Sequence, residues 1–95
     1  MLSKNPLDIP RDRKLSKDEI AQALRWAIMA ELDAVNFYMQ FANAVDDEVV
    51  KRVFLDIARE EKTHVGEFLA LLLKLDPEMA SELEAGRREV EELAG

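Results

Sequence analysis

Three ionisable residues interrupt apolar helical patterns in this 95-residue sequence: Glu31 in one stretch, Glu61 and His64 in another. A charge on a core-facing position costs several kcal/mol unless it is paired, neutralised or bound to a metal ion. Carboxylate oxygens combined with imidazole nitrogens suit iron better than magnesium or calcium. We therefore predict that these three residues are metal ligands.

The spacing of these residues places them at one height in a helical hairpin. Glu31 lies fifteen residues before Asp46, and Glu61 lies fifteen residues after it. If the chain turns near Asp46, a rise of about 1.5 Å per residue puts both carboxylates roughly 22 Å from the turn. His64 follows Glu61 by three positions and shares its helix face. An antiparallel hairpin would bring all three together.

Two long helices are predicted to position the ligands. Ser16 and Glu19 have the spacing of a capping box directly before an apolar pattern of helical period, which predicts a helix over about 17–44. The residues between 45 and 48 can cap a second helix, over about 47–75.

The chain is predicted to have three parts. Residues 1–15 form an irregular arm, 16–75 the helical hairpin, and 76–95 a short acidic C-terminal helix. Pro77 ends the second helix and suits the first turn of the third. We expect this third helix to be interrupted or loosened at Gly86.

The composition excludes several classes of function. Lys+Arg 13 against Asp+Glu 20 gives a net charge of −7, which repels phosphate, so we expect no nucleic-acid and no membrane partner. No apolar run reaches the length of a membrane span, and the N-terminus lacks the apolar core of a signal peptide, so we expect a cytoplasmic protein. The absence of cysteine excludes disulfides and thiolate ligands.

Both long helices are more apolar than one partner helix can cover, most clearly at residues 26–30 and 68–73. Di-iron carboxylate bundles take one Glu from each of two helices and one Glu-x-x-His from each of two others. This sequence supplies one of each, and a two-fold axis would supply the rest. We therefore predict an all-α fold in which a two-helix hairpin forms half of a four-helix bundle completed by dimerisation.

The stretches from Ala30 to Tyr38 and from Arg59 to His64 resemble the encapsulated ferritins, which are ferritin-like proteins found inside encapsulin nanocompartments. The resemblance covers both long helices. It implies a ferritin-like fold, a homodimer that assembles further into an annular decamer, and an encapsulin shell protein as partner. In some relatives the domain is fused to that shell protein.

The resemblance further implies a ferroxidase that oxidises Fe(II) with dioxygen at a di-iron site between two subunits, for iron storage. Glu31, Glu61 and His64 would be iron ligands, each contributed twice, with two ions per dimer. Tyr38 lies seven residues after Glu31 on the same face, where its hydroxyl could hydrogen-bond a ligand carboxylate. An ordinary core aromatic is an equally good interpretation of this tyrosine.

The sequence departs from the family pattern at three points. Family members often carry Trp-Tyr where this chain has Phe37-Tyr38. An acidic entrance site of the kind found in relatives would need acids near Ala30 and Asp33, and only Asp33 is acidic. The sequence has no recognisable shell-targeting extension, so we expect either a truncated cargo protein or a domain of a shell fusion.

Other interpretations of the same residues stay open at this point. The ligands would equally serve another di-metal oxidoreductase that uses manganese or iron. A non-catalytic helical module for oligomerisation or cargo tethering is a further possibility. At single residues, His64 could be a neutral core histidine bonded to Glu31, and the glutamates could form ion pairs with Lys62 or Arg59.

Overall fold

The computed structural model describes residues 9–95, and over this range it contains three helices and no strand. The elements are α1 (Lys17–Ala44), α2 (Glu48–Leu75) and α3 (Pro77–Ala94). This confirms the predicted all-α fold class. Of the predicted N-terminal arm, residues 9–15 form no helix, and the first eight lie outside the described residues.

The helix termini follow from local side-chain chemistry. The Ser16 hydroxyl accepts a hydrogen bond from the Glu19 amide at 3.2 Å, and the Ser16 amide donates to the Glu19 carboxylate at 2.9 Å. At the start of α2, the Asp47 carboxylate accepts from the amides of Val49 and Val50 at 2.9 and 3.0 Å. These bonds satisfy amide groups that a helix start leaves without partners.

Helix α3 is continuous through Gly86, where we predicted an interruption. One glycine costs a helix about 1 kcal/mol relative to alanine, which good helix formers on both sides can offset. Asp76 starts this helix firmly, because its carboxylate accepts from the Met79 amide at 3.1 Å. Arg25 donates to the same carboxylate at 2.9 Å and ties the α2–α3 corner to α1.

Helices α1 and α2 run antiparallel, because contacts that move forward along α1 move backward along α2. In chain order of α1, the pairs are Arg25–Asp76, Glu31–His64 and Tyr38–Phe54. The core between the two helices is thin. Among residues 9–95 five hydrophobic side chains are buried, and three of them are alanines. They are Ala21, Val35, Ala42, Ala58 and Leu72.

The single chain leaves a large surface open. Its accessible area is 7595 Å², whereas a compact protein of this mass exposes about 5,500 Å². The radius of gyration is 17.0 Å, against about 12 Å for a compact domain of this length. Helix α3 accounts for part of the excess in accessible area and in radius of gyration, because it packs against α2 and not against α1. No helix within residues 9–95 has both the length and the apolarity needed to cross a membrane.

Candidate metal centre

The structure brings the three predicted ligands together near the middle of the hairpin. Nδ1 of His64 lies 3.3 Å from Oε2 of Glu31 and 3.5 Å from Oε2 of Glu61. One ligand atom from each residue lies within 4.8 Å of the others. All three side chains are partly buried and reachable from solvent. Such a group is the right size to surround a single metal ion on one side.

The charges of this cluster favour a cation. Two carboxylates face the same imidazole nitrogen, which can donate a hydrogen bond to only one of them at a time. The ion pair with Arg59 or Lys62, which was an alternative interpretation, does not form: Arg59 pairs with Asp56, and Lys62 makes no ion pair with any residue from 9 to 95. The cluster therefore carries surplus negative charge.

The donor atoms of the cluster fit a transition metal. Carboxylate oxygens with an imidazole nitrogen suit iron and manganese. Three protein ligands leave coordination positions open for another metal-bridging group, a substrate or water. A structural histidine would also make the hydrogen bond between His64 and Glu31. Among residues 9–95, however, the base that Glu31 uses is also the one base beside Glu61, so one imidazole serves two carboxylates. The complete set is therefore better explained by metal binding than by core polarity.

Tyr38 lies in an aromatic group beside the cluster. Its ring stacks on Phe54 at a centroid distance of 6.1 Å and lies 5.3 Å from the ring of Phe37. Phe41 contacts both phenylalanines, at 4.7 Å from Phe37 and 5.6 Å from Phe54. Within residues 9–95 the Tyr38 hydroxyl makes no hydrogen bond. The single chain thus shows the packing role of this tyrosine and leaves its hydroxyl available.

The cluster opens onto one side of the hairpin, which we call the cluster face. Its residues recur every three or four positions, so they form one stripe on each helix. On α1 the stripe consists of alanines followed by phenylalanines. On α2 it consists of apolar residues, two glutamates and a histidine. The members are Ala27, Ala30, Ala34, Phe37, Phe41, Val53, Ile57, Glu60, His64, Glu67 and Leu71. We did not predict this continuous face, although its heptad spacing is visible in the sequence.

A two-helix hairpin with a carboxylate and imidazole cluster on an open face defines half of a ferritin-like bundle. The sequence model of the rubrerythrin family matches residues 22–94. The chain belongs to the rubrerythrin family.

Two individual relatives are similar in sequence to most or all of this chain. The chain is 57% identical over 95 residues to a ferritin-like-encapsulin shell fusion protein of Pyrococcus furiosus, covering 100% of this chain and 28% of that protein. It is 38% identical over 77 residues to the encapsulin nanocompartment cargo protein EncC of Myxococcus xanthus, covering 81% of this chain and 59% of that protein. The chain thus spans less than two thirds of either relative.

A solved structure matches the whole fold. The crystal structure of the encapsulated ferritin domain from Pyrococcus furiosus superposes with a TM-score of 0.88 at 56% identity, covering 98% of this chain and 95% of that one. These findings confirm the predicted resemblance to encapsulated ferritins.

Proposed function

We propose that this protein is a ferroxidase whose di-iron site forms between two copies of the chain. The observation that carries the proposal is the meeting of Glu31, Glu61 and His64 within 4.8 Å on an open apolar face. One chain supplies two carboxylates and one imidazole, which is half of the ligand set of a di-iron carboxylate bundle. We place this centre in the hairpin of residues 16–75, flanked by the arm of residues 1–15 and the helix of residues 76–95.

Dimerisation through the cluster face would complete the site. A two-fold axis doubles the ligands to four carboxylates and two imidazoles, and the four negative charges balance two Fe(II) ions. The same contact would cover the exposed cluster-face side chains Phe37, Phe41 and Val53. Burying them favours association by about 25 cal/mol for each Å² of apolar surface removed from water.

Each ligand has a proposed role in the oxidation. Glu61 of both chains would help to hold two iron ions in one site, which would make two-metal chemistry possible there. Glu31 and His64 would each bind one iron. Two Fe(II) ions would give one electron each to one dioxygen molecule, which with two protons becomes hydrogen peroxide, and hard carboxylate oxygens favour the ferric product. Tyr38 is proposed to act on a ligand carboxylate through its available hydroxyl.

We further propose that the protein works with an encapsulin shell in the cytoplasm, as separate cargo or as part of a fusion. The names of both relatives connect them with encapsulin. A hairpin with a thin core encloses no space for mineral, even after it assembles into a dimer or an annular decamer. Stored Fe(III) would therefore need a separate compartment.

The test is aerobic Fe(II) oxidation by the purified protein with single ligands replaced. Glu31→Ala, Glu61→Gln and His64→Ala should each abolish the ferric absorbance increase. Glu92→Gln is the matched control, because Glu92 is an exposed glutamate of α3 that belongs neither to the cluster nor to the cluster face. Wild-type oxidation rates in all three ligand variants would refute the proposal. Iron binding without oxidation in the wild-type protein would favour a non-catalytic module.

The donor set favours one second candidate, a manganese or mixed-metal oxidoreductase on the same residues, because carboxylate and imidazole also suit manganese. The metal content of protein purified from cells distinguishes the two candidates. A predominance of manganese, together with consumption of an oxidant other than dioxygen, would replace the ferroxidase assignment.

A further inference from the structure

Hydrogen peroxide, the product of the proposed oxidation, is itself an oxidant that forms beside the protein's own side chains. The inference drawn here rests on that proposed function. Reducing hydrogen peroxide to two water molecules takes two electrons and two protons. A cluster that holds a single Fe(II) supplies one of these electrons, and without a second donor the product is a hydroxyl radical. A side chain that gives one electron at this point would prevent that radical from forming.

Few side chains of this protein give up a single electron readily. Cysteine, tyrosine and tryptophan do so, and the sequence contains no cysteine, one tyrosine and one tryptophan. Methionine instead takes an oxygen atom on its sulfur and becomes a sulfoxide. The candidates for a one-electron donor are therefore Tyr38 and Trp26.

Helical geometry favours Tyr38. It lies seven residues after Glu31, which is two turns along α1 and only about 20° around it. Long side chains in a helix lean toward the N-terminus, and for Tyr38 that is the direction of Glu31. Trp26 lies five residues before Glu31, about 140° away around the helix, and leans away from it. Tyr38 is thus the oxidisable side chain that shares the helix face of Glu31.

The ring of Tyr38 is held in place by phenylalanines. It stacks on Phe54 with centroids 6.1 Å apart and planes 27° apart, and it lies 5.3 Å from Phe37. Phenylalanine is far harder to oxidise than tyrosine, so these neighbours cannot take over an unpaired electron from the phenol. They also cover the ring and limit its coupling with other radicals.

The hydroxyl of Tyr38 is free to release its proton. Removing one electron from a phenol expels the hydroxyl proton, so a tyrosine that gives an electron needs a proton acceptor. Within residues 9–95 this hydroxyl makes no hydrogen bond, and the side chain is only half-buried. Water, or the ligand carboxylate proposed above as its partner, would accept the proton. A phenylalanine would provide the same packing without this chemistry.

We propose that Tyr38 gives the second electron when hydrogen peroxide meets a cluster that holds a single Fe(II). Fe(II) becomes Fe(III), the O–O bond breaks, the phenol loses one electron and its proton, and one further proton comes from solvent. The products are Fe(III), two water molecules and a neutral tyrosyl radical. A later Fe(II), with one proton from solvent, returns the radical to tyrosine and itself becomes Fe(III).

The test adds one Fe(II) per two chains to metal-free protein under anaerobic conditions, followed by one equivalent of hydrogen peroxide. Samples frozen during the reaction should show a radical by electron paramagnetic resonance. Ring-deuterated tyrosine should narrow the hyperfine pattern of this signal, and Tyr38 is the only tyrosine to which it can belong. Tyr38→Phe, which retains the aromatic ring, should lose the signal and give more hydroxyl-radical adduct with a spin trap.

Two further variants define the origin of the radical. Trp26→Phe is the matched aromatic control and should keep the tyrosyl signal. Glu61→Gln should lose it although Tyr38 is intact, because the iron no longer binds at the cluster. Circular dichroism of each variant confirms that the helices are retained.

Three results would overturn the proposal: no tyrosyl radical in the wild type, equal spin-trap adduct in the wild type and Tyr38→Phe, or an undiminished tyrosyl signal in Glu61→Gln. Aerobic Fe(II) oxidation, measured on the same preparations, reports on the proposed function separately. Normal oxidation by the wild type without a tyrosyl radical would reject the role of Tyr38 alone. Wild-type oxidation rates in the ligand variants would instead reject the ferroxidase.

Discussion

At the scale of single residues, the centre depends on one imidazole nitrogen that faces two carboxylates. Nδ1 of His64 is 3.3 Å from Glu31 and 3.5 Å from Glu61, so the metal-free cluster holds like charges close together. This arrangement costs stability in the absence of a cation, and binding a cation would recover it. The residue types and spacing were sufficient to predict which three side chains meet.

Another single residue, Glu19, predicts how the start of α1 responds to acid. Hydrogen bonds from Arg13, and then from the Ser16 amide, lower the pKa of Glu19 from 4.5 to about 2. Because the folded pKa is depressed, this carboxylate's contribution to stability is complete above pH 4.5 and is lost as the pH falls through about 2. NMR titration of the Glu19 carboxyl carbon should give this midpoint. Arg13→Ala should shift the midpoint upward, and an unchanged midpoint would contradict the assigned cause.

At the scale of elements, the three helices differ in what they contribute. Helices α1 and α2 carry the three cluster residues and cover each other through a narrow core of small residues. Helix α3 is held at a fixed corner by Arg25 and Asp76, and the Arg25 hydrogen bond is the main reason that the pKa of Asp76 lies below its usual value. Its direction therefore depends on a contact between residues 51 positions apart.

Replacing Gly86 with alanine tests what a glycine inside α3 costs the chain. Gly86→Ala should raise the free energy of unfolding by about 0.5–1 kcal/mol, because alanine is the better helix former and the added Cβ meets open space. Urea denaturation measures this change, and an unchanged or lower free energy of unfolding would contradict the prediction.

At the scale of the whole molecule, the single chain leaves much apolar surface open, and the proposed pairing of two chains would cover part of it. Two opposite faces of a thin hairpin are apolar, and the accessible area of 7595 Å² far exceeds that of a compact protein of the same mass. The cluster lies on one of these faces, and its three side chains would be half of the proposed di-metal ligand set. The proposed activity is therefore a property of a pair of chains.

Two substitutions on α2 test this dependence with the ligands intact. Val53 lies on the cluster face and Leu55 on the opposite face, about 200° apart around the helix, with similar exposures of 52% and 45%. Val53→Glu should prevent dimerisation through the cluster face and reduce iron oxidation at least tenfold. Leu55→Glu should keep the wild-type oxidation rate. Equal rates in the two variants, measured by ferric absorbance, would show that pairing through the cluster face is not required.

The sequence by itself determined the helices and which three side chains form the cluster, because both depend on local chemistry and on a regular rise per residue. Capping side chains marked the helix starts, and equal distances from the turn placed Glu31 level with Glu61. Only the tertiary structure decided that Tyr38 packs on Phe54 and that α3 does not pack against α1. These outcomes depend on side chains that meet across helices. The helical period of the sequence does not indicate which distant residues will contact each other.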